Sequence, residues 1–213
     1  MSILWNLPGQ AIEQESFRRI EEEYTHRERF SAEEWRIARR LIHTTADMHI
    51  ADTLVFRHAP ITNGLDALSR GAPIFCDSNM IRAGISLARL KKLNPGYDQS
   101  FLHCYIADAD VAARAKAEGR TRAVCGAEKA RPILDGAVVL IGNAPLALAR
   151  IARYILEEGI RPALVIGMPV GFVNVVESKE LLGQCDVPQI VLEGRRGGSP
   201  LAVAALHAVM ESA

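Results

Sequence analysis

Ala137-Val138-Val139-Leu140-Ile141-Gly142-Asn143-Ala144-Pro145 decides how this chain reads. The five apolar residues form a short run of strand type. A helix start comes directly after them: Asn143 is the expected cap, and Pro145 stands in the first turn, where a missing N–H costs nothing. Gly159 closes that helix. The same rhythm recurs along the chain. Further candidate strands are Thr53 to Phe56, Pro73 to Cys76, Leu102 to Ile106, Ala163 to Ile166 and Gln189 to Leu192, with helical stretches between most of them. Strands alternating with helices imply an α/β fold, a mostly parallel central sheet with helices on both faces. No linker or repeat divides residues 1–213, so a single domain is expected. Ligands of such sheets bind at the carboxyl ends of the strands.

Ahead of this pattern lie polar helices. Glu13 to Tyr24 reads as a helix with Phe17 and Ile20 inward. Ser31 and Glu34 form a capping box for the next one, which is expected to run to about Met48. At 100° per residue Trp35, Ala38, Ile42 and Ala46 share an apolar stripe, widened by Ile37 and Leu41. His43 falls outside that stripe, near Arg36, Arg39 and Asp47, and should face a boundary.

Lysine plus arginine and aspartate plus glutamate number 25 each. A net charge of zero argues against a general nucleic-acid or acidic-lipid surface. No apolar run reaches the roughly 18 residues of a membrane span. Met1 to Gln14 has no charged start followed by an apolar core, so no secretory signal is expected. Cys76, Cys104, Cys125 and Cys185 form no Cys-x-x-Cys pair and read as buried thiols of a reducing compartment. The expected location is the cytoplasm.

Four loops come after expected strands: Cys76 to Gly84, Ile141 to Pro145, Gly167 to Phe172 and Gly194 to Pro200. The last has the clearest physics. Its glycines let backbone amides approach a ligand, a helix start comes next, and Arg195 and Arg196 add donors for carboxylate or phosphate. The competing reading is a flexible turn with solvated arginines. No Gly-x-Gly-x-x-Gly or Gly-x-x-x-x-Gly-Lys fingerprint supports a dinucleotide or ATP enzyme. The stretch Lys91 to Gln99 reads as a surface excursion. Among the histidines, His26 and His58 sit in polar loops, His103 in an expected strand, His207 in the last helix and His49 on another helix face from His43. His43 and Asp47 at i, i+4 lack a third ligand, so no metal site is expected and Asp47 reads as a cap or orienting group. An imidazole exchanges a proton near pH 7, which leaves His43 open as a general acid or as a plain helix-end histidine.

Taken in order, several segments resemble the precorrin-8X methylmutase family over nearly the whole chain. They are Ile12-Glu13-Gln14-Glu15-Ser16-Phe17, Arg40-Leu41-Ile42-His43, Gly71-Ala72-Pro73-Ile74, Thr121-Arg122 and Ala137 to Pro145. Gly167-Met168-Pro169-Val170-Gly171-Phe172-Val173, Glu177-Ser178-Lys179 and Gly194-Arg195-Arg196-Gly197-Gly198-Ser199 complete the set. The resemblance implies an isomerase of cobalamin biosynthesis that moves a methyl group from C11 to C12 of a tetrapyrrole. It implies no cofactor, any cobalt belonging to the substrate, and a homodimer with sites near the subunit interface. It places the catalytic histidine on His43 and substrate contacts on Ser16, Arg40 and Arg122.

Such a substrate is a broad apolar ring bordered by carboxylate arms. Arg40, Arg122, Arg195, Arg196, Gly197 and Gly198 suit its rim, with Arg82 a weaker candidate. Two alternatives stand beside this reading: a non-catalytic tetrapyrrole carrier, and an α/β enzyme using the Gly194 to Ser199 loop on a phosphorylated small molecule.

Overall fold

A computed structural model describes residues 5–213. In chain order the first half holds α1 (Gly9–Glu23), α2 (Ala32–Thr45), β1 (Leu54–Arg57), α3 (Pro60–Ser69), β2 (Ile74–Cys76), α4 (Asn79–Gly84), α5 (Leu87–Leu93) and β3 (Leu102–His103). The second holds α6 (Ala109–Glu118), α7 (Arg122–Ala130), β4 (Val138–Ile141), α8 (Pro145–Glu158), β5 (Leu164–Gly167), α9 (Val175–Gly183), β6 (Gln189–Leu192) and α10 (Ser199–Met210). The strands form one sheet in the order β1-β6-β5-β4-β2-β3. All neighbours are parallel except β1, which runs antiparallel to β6 with Leu54 opposite Leu192.

Both faces of the sheet are covered, which is why its strands are continuous apolar runs. Val138, Leu140, Ile166 and Ile190 pack with α2 and α10 on one side. Val139, Ile141, Val165 and Val191 pack with α7 and α8 on the other. Helix α10 is apolar nearly all round and correspondingly covered, with nine of its residues buried. All four cysteines are buried and unpaired.

Helices α1 and α2 form an antiparallel pair over the α10 layer. The Ser31–Glu34 capping box starts α2 as expected. Tyr24 stacks on Trp35 with ring centroids 5.3 Å apart, and Arg39 and Arg40 lie over the Phe17 ring at 4.3 and 5.1 Å.

Five expectations are corrected. Helix α2 ends at Thr45 rather than near Met48, because Ala46 adopts a left-handed conformation (φ 53°) that turns the chain out; Ala46 is exposed rather than in the stripe. His49 therefore lies in the next 3-10 turn, Met48–Thr53, not on α2. The third strand is two residues long, since Cys104 to Ile106 leave the sheet edge and Tyr105 packs back on Phe75. The stretch after Lys91 is anchored: Tyr97 is buried and donates to the Ala72 carbonyl at 2.9 Å. Asn143 does not cap α8; it is exposed, Ala144 holds the N-cap position with no side-chain bond to the first turn, and the amides just ahead of the helix go to Asp77.

Candidate active site

Ser16 and His43 face each other across the α1–α2 seam, with Ser16 Oγ 2.7 Å from His43 Nδ1. The Phe17 ring meets the imidazole edge to face at 5.3 Å. His43 is half-buried, at a boundary as its helical position implies. Together with Ile12, Ile20, Ile42 and Met48 it lines an open cavity of about 460 Å³, the size class of small-molecule sites. No other hydrogen bond to the imidazole is found among the described residues. Nδ1 is thus occupied by the hydroxyl, and Nε2 is the nitrogen available to a ligand.

Arg40 is more committed than expected. Its side chain is only 12% exposed and pairs with Glu13 at 2.7 Å and with Glu211 at 2.7 Å. It ties α1, α2 and the end of α10 together. Its Nε is buried without a partner. Arg40 also borders a second hollow of about 340 Å³ with Thr44, Met80, Ser199 and His207. His207 accepts from the Ser86 amide at 3.1 Å, and burial with Arg89 and Arg40 nearby pushes its pKa down to about 4. At pH 7 it is therefore a neutral ring.

Asp47 does not join His43, because the chain has already left the helix. It accepts from the His49 amide at 3.0 Å, capping the next turn, and pairs with the exposed Arg196. That ion pair connects the β6–α10 loop to the end of the helix bearing His43. Arg195, beside it, lies 5.5 Å from the centre of the Phe172 ring. Gly197 sits against backbone: a Cβ there would lie far inside contact distance of the Met168 and Pro169 carbonyl oxygens. Gly198 (φ 137°) donates to Met168 at 2.8 Å. Phe172, Val173, Val170 and Met80 are exposed and leave the carboxyl edge of the sheet partly apolar.

Arg122 stands apart. It opens α7 in the helix layer across the sheet from α2 and borders a depression with Lys116 and Arg120. Arg82, in α4, is partly buried, and its charge lowers the pKa of His103 after burial has done most of the work.

Two residues given no role at the sequence level organise the loops. Asp77 is buried and accepts from the amides of Gly142 at 3.1 Å, Asn143 at 2.9 Å and Ala144 at 2.6 Å. Burial raises its pKa against the pull of those amides. Lys179 is buried in α9 and donates to the Gly194 carbonyl at 2.8 Å and the Arg196 carbonyl at 2.7 Å. Lys179 stands in Glu177-Ser178-Lys179, a segment that carries the family resemblance, but nothing in its spacing points to the two carbonyls it meets.

A profile of the family described as precorrin-8X methylmutase matches residues 11–212. The chain belongs to the precorrin-8X methylmutase family. It is 40% identical over 210 residues to the cobalt-precorrin-8 methylmutase of Leptospira interrogans, covering 95% of this chain and 93% of that protein. It is 38% identical over 203 residues to the precorrin-8X methylmutase of Pseudomonas aeruginosa, covering 94% of each. The crystal structure of the precorrin-8X methylmutase from Thermus thermophilus superposes with a TM-score of 0.85 at 44% identity, covering 95% of both chains.

Membership of this methylmutase family makes the chain an isomerase of cobalamin biosynthesis, an enzyme that moves a methyl group, and implies a tetrapyrrole substrate. The non-catalytic carrier is thereby set aside. No helix among the described residues is long and apolar enough to cross a membrane.

Proposed function

We propose that this protein catalyses the 1,5-sigmatropic shift of a methyl group from C11 to C12 of precorrin-8X or cobalt-precorrin-8, giving hydrogenobyrinic or cobyrinic acid. The observation that carries the proposal is the Ser16–His43 pair on the wall of the 460 Å³ cavity. A protonated His43 donates through Nδ1–H to Ser16 Oγ and presents Nε2–H to a ring nitrogen of the substrate. Transfer of that proton draws electron density from the migrating carbon. The C11–methyl bond breaks as the C12–methyl bond forms, and the proton returns to Nε2. The rearrangement is internal to one molecule and balances without an oxidant, reductant or second substrate, so no cofactor of the protein's own is invoked. Cobalt, where present, arrives in the substrate.

The macrocycle's remaining surface is assigned to the carboxyl edge of the sheet. Exposed Phe172, Val173 and Met80 offer apolar contact, and Arg195 and Arg196, carried by the turn at Gly197 and Gly198, form the rim for carboxylate arms. Arg40 reaches a substrate carboxylate by exchanging it for Glu13, its partner on α1. Arg122, across the sheet from His43, fits a homodimer in which a second subunit completes the wall. A phosphorylated substrate is less well served, because the Gly198 amide of this loop is spent on the Met168 carbonyl.

Incubation with precorrin-8X, and separately with cobalt-precorrin-8, tests the proposal. The methyl shift alters the conjugated system, so the visible spectrum should convert to that of the acid product, and the preferred substrate form identifies the metal state. Saturable binding without conversion of either form would refute it.

A further inference from the structure

Lys179 lies in the middle of α9 with 4% of its surface exposed. A buried lysine ordinarily faces a carboxylate, since an unpaired buried ammonium is costly. Among the described residues Lys179 has no carboxylate at ion-pair distance. Glu193, the acid that most affects it, is turned to Arg57 at 3.0 Å, and Glu180 and Arg57 share the bordering hollow. Nζ instead meets two backbone carbonyls two residues apart, Gly194 and Arg196. Burial lowers its pKa to about 8. Retaining so costly a group calls for a return that an apolar residue would not give.

The return lies in what the two carbonyls do to the loop. Drawing both onto one point turns the carbonyls of Gly194 and Arg196 inward, while the Arg195 and Arg196 side chains lie exposed. The Arg195 carbonyl, between them, accepts from the Gly171 amide at 3.2 Å and fixes the β5–α9 loop that carries Phe172. Arg196 then reaches Asp47, which caps the turn directly after α2. A continuous set of contacts thus runs from α9 through the loop to the end of the helix holding His43.

We infer that Lys179 is a positioning residue of the methylmutase site: it sets the Gly194–Gly198 loop so that Arg195 and Arg196 receive the substrate's carboxylate arms. The inference rests on the proposed tetrapyrrole reaction. Lys179 touches no substrate; it acts through the two arginines, so it governs substrate affinity rather than the proton transfer at His43.

Lys179→Met and Lys179→Arg test it, by steady-state kinetics on whichever of precorrin-8X and cobalt-precorrin-8 wild type prefers, and by amide hydrogen exchange without substrate. In Lys179→Met, KM should rise at least about tenfold, the scale of one misplaced charge-assisted contact, with kcat within about threefold. Exchange should accelerate at residues 168–173, 194–199 and 47–50, and nowhere else. Lys179→Arg, which keeps donors and charge beside an open hollow, should recover most of the affinity. KM within twofold of wild type in Lys179→Met, a fall in kcat at constant KM, or exchange accelerated evenly along the chain would overturn the inference. If Lys179→Met does not fold, Lys179→Gln is judged by the same readouts. Wild-type protein inactive on both precorrin-8X and cobalt-precorrin-8 would refute the proposed reaction, and the local exchange pattern would then judge Lys179 alone.

Discussion

The loops after β4 and β6 look alike in sequence, each a glycine-bearing turn leading to a proline in the first turn of a helix, and they are built with opposite polarity. Residues 142–144 are gathered by an anion, the Asp77 carboxylate, which takes three amides. Residues 194–196 are gathered by a cation, the Lys179 ammonium, which takes two carbonyls. In the first loop the amides of residues 142–144, just ahead of α8, are consumed inside the protein, so none of those three is left to offer an anionic ligand. In the second, carbonyls are consumed and guanidinium groups are left facing solvent. Which groups a glycine turn before a helix leaves free therefore depends on a residue elsewhere in the chain. Here those residues come from the end of β2 and the middle of α9.

The largest expected effect comes from removing the anion. Asp77→Ala leaves three amides, two of them in buried bonds, without an acceptor, and we expect a loss of stability on the order of 3 kcal/mol, read from denaturant unfolding. A change under about 0.5 kcal/mol would mean that solvent or a neighbouring group satisfies these amides equally well.

The two loops also touch. A Cβ at Gly142 would stand 2.7 Å from Ser199 Cα and 2.8 Å from its amide nitrogen. Gly142→Ala should therefore cost about 2 kcal/mol by overpacking and raise KM for the tetrapyrrole by displacing the second loop. Lost stability with unchanged KM would show the loops to be mechanically independent.

The smallest effect is a slope in pH. Folded Lys179 releases its proton near pH 8, whereas a lysine ordinarily does so near 10.5. Between those values the unfolded chain holds a proton that the folded chain lacks, so this group makes stability rise with pH, by at most about 1.4 kcal/mol per pH unit. Subtracting the stability of Lys179→Met from that of wild type across pH 7–11 should isolate the rise. A flat difference would contradict burial of the charge.

These contrasts also mark what can be read in a sequence. The strands around β4 are legible because a strand covered on both faces must be apolar throughout, and Pro145 with Gly159 brackets α8 unambiguously. Strand length at the edge is not: Leu102 to Ile106 has the right composition, but only β2 is available to pair with it, and two residues do so. Composition is silent on direction, so antiparallel β1 could not be told from the rest. Periodicity alone set His43 at the margin of its helix. Ser16, 27 residues earlier, enters the sequence reading only through the family resemblance, as a substrate contact; its bond to His43 has no local signal, because nothing in the sequence links positions on two helices. The partners of Asp77 and Lys179 are illegible for the same reason, although Asp77 lies in a loop after an expected strand and Lys179 in a segment of the family resemblance. The family resemblance places Arg40 at the substrate, and no local pattern shows that Glu13 and Glu211, from opposite ends of the chain, already hold it.

His43→Ala bears most directly on the proton transfer at the centre of the proposed reaction. Titration with hydrogenobyrinic acid should show binding close to that of wild type, because the arginine rim and apolar edge remain. Turnover of precorrin-8X, monitored by its visible spectrum, should fall at least about a hundredfold, the lower range of a general acid–base contribution. Near-normal turnover in His43→Ala would contradict the assignment and return this imidazole to the role of an ordinary residue at a helix end.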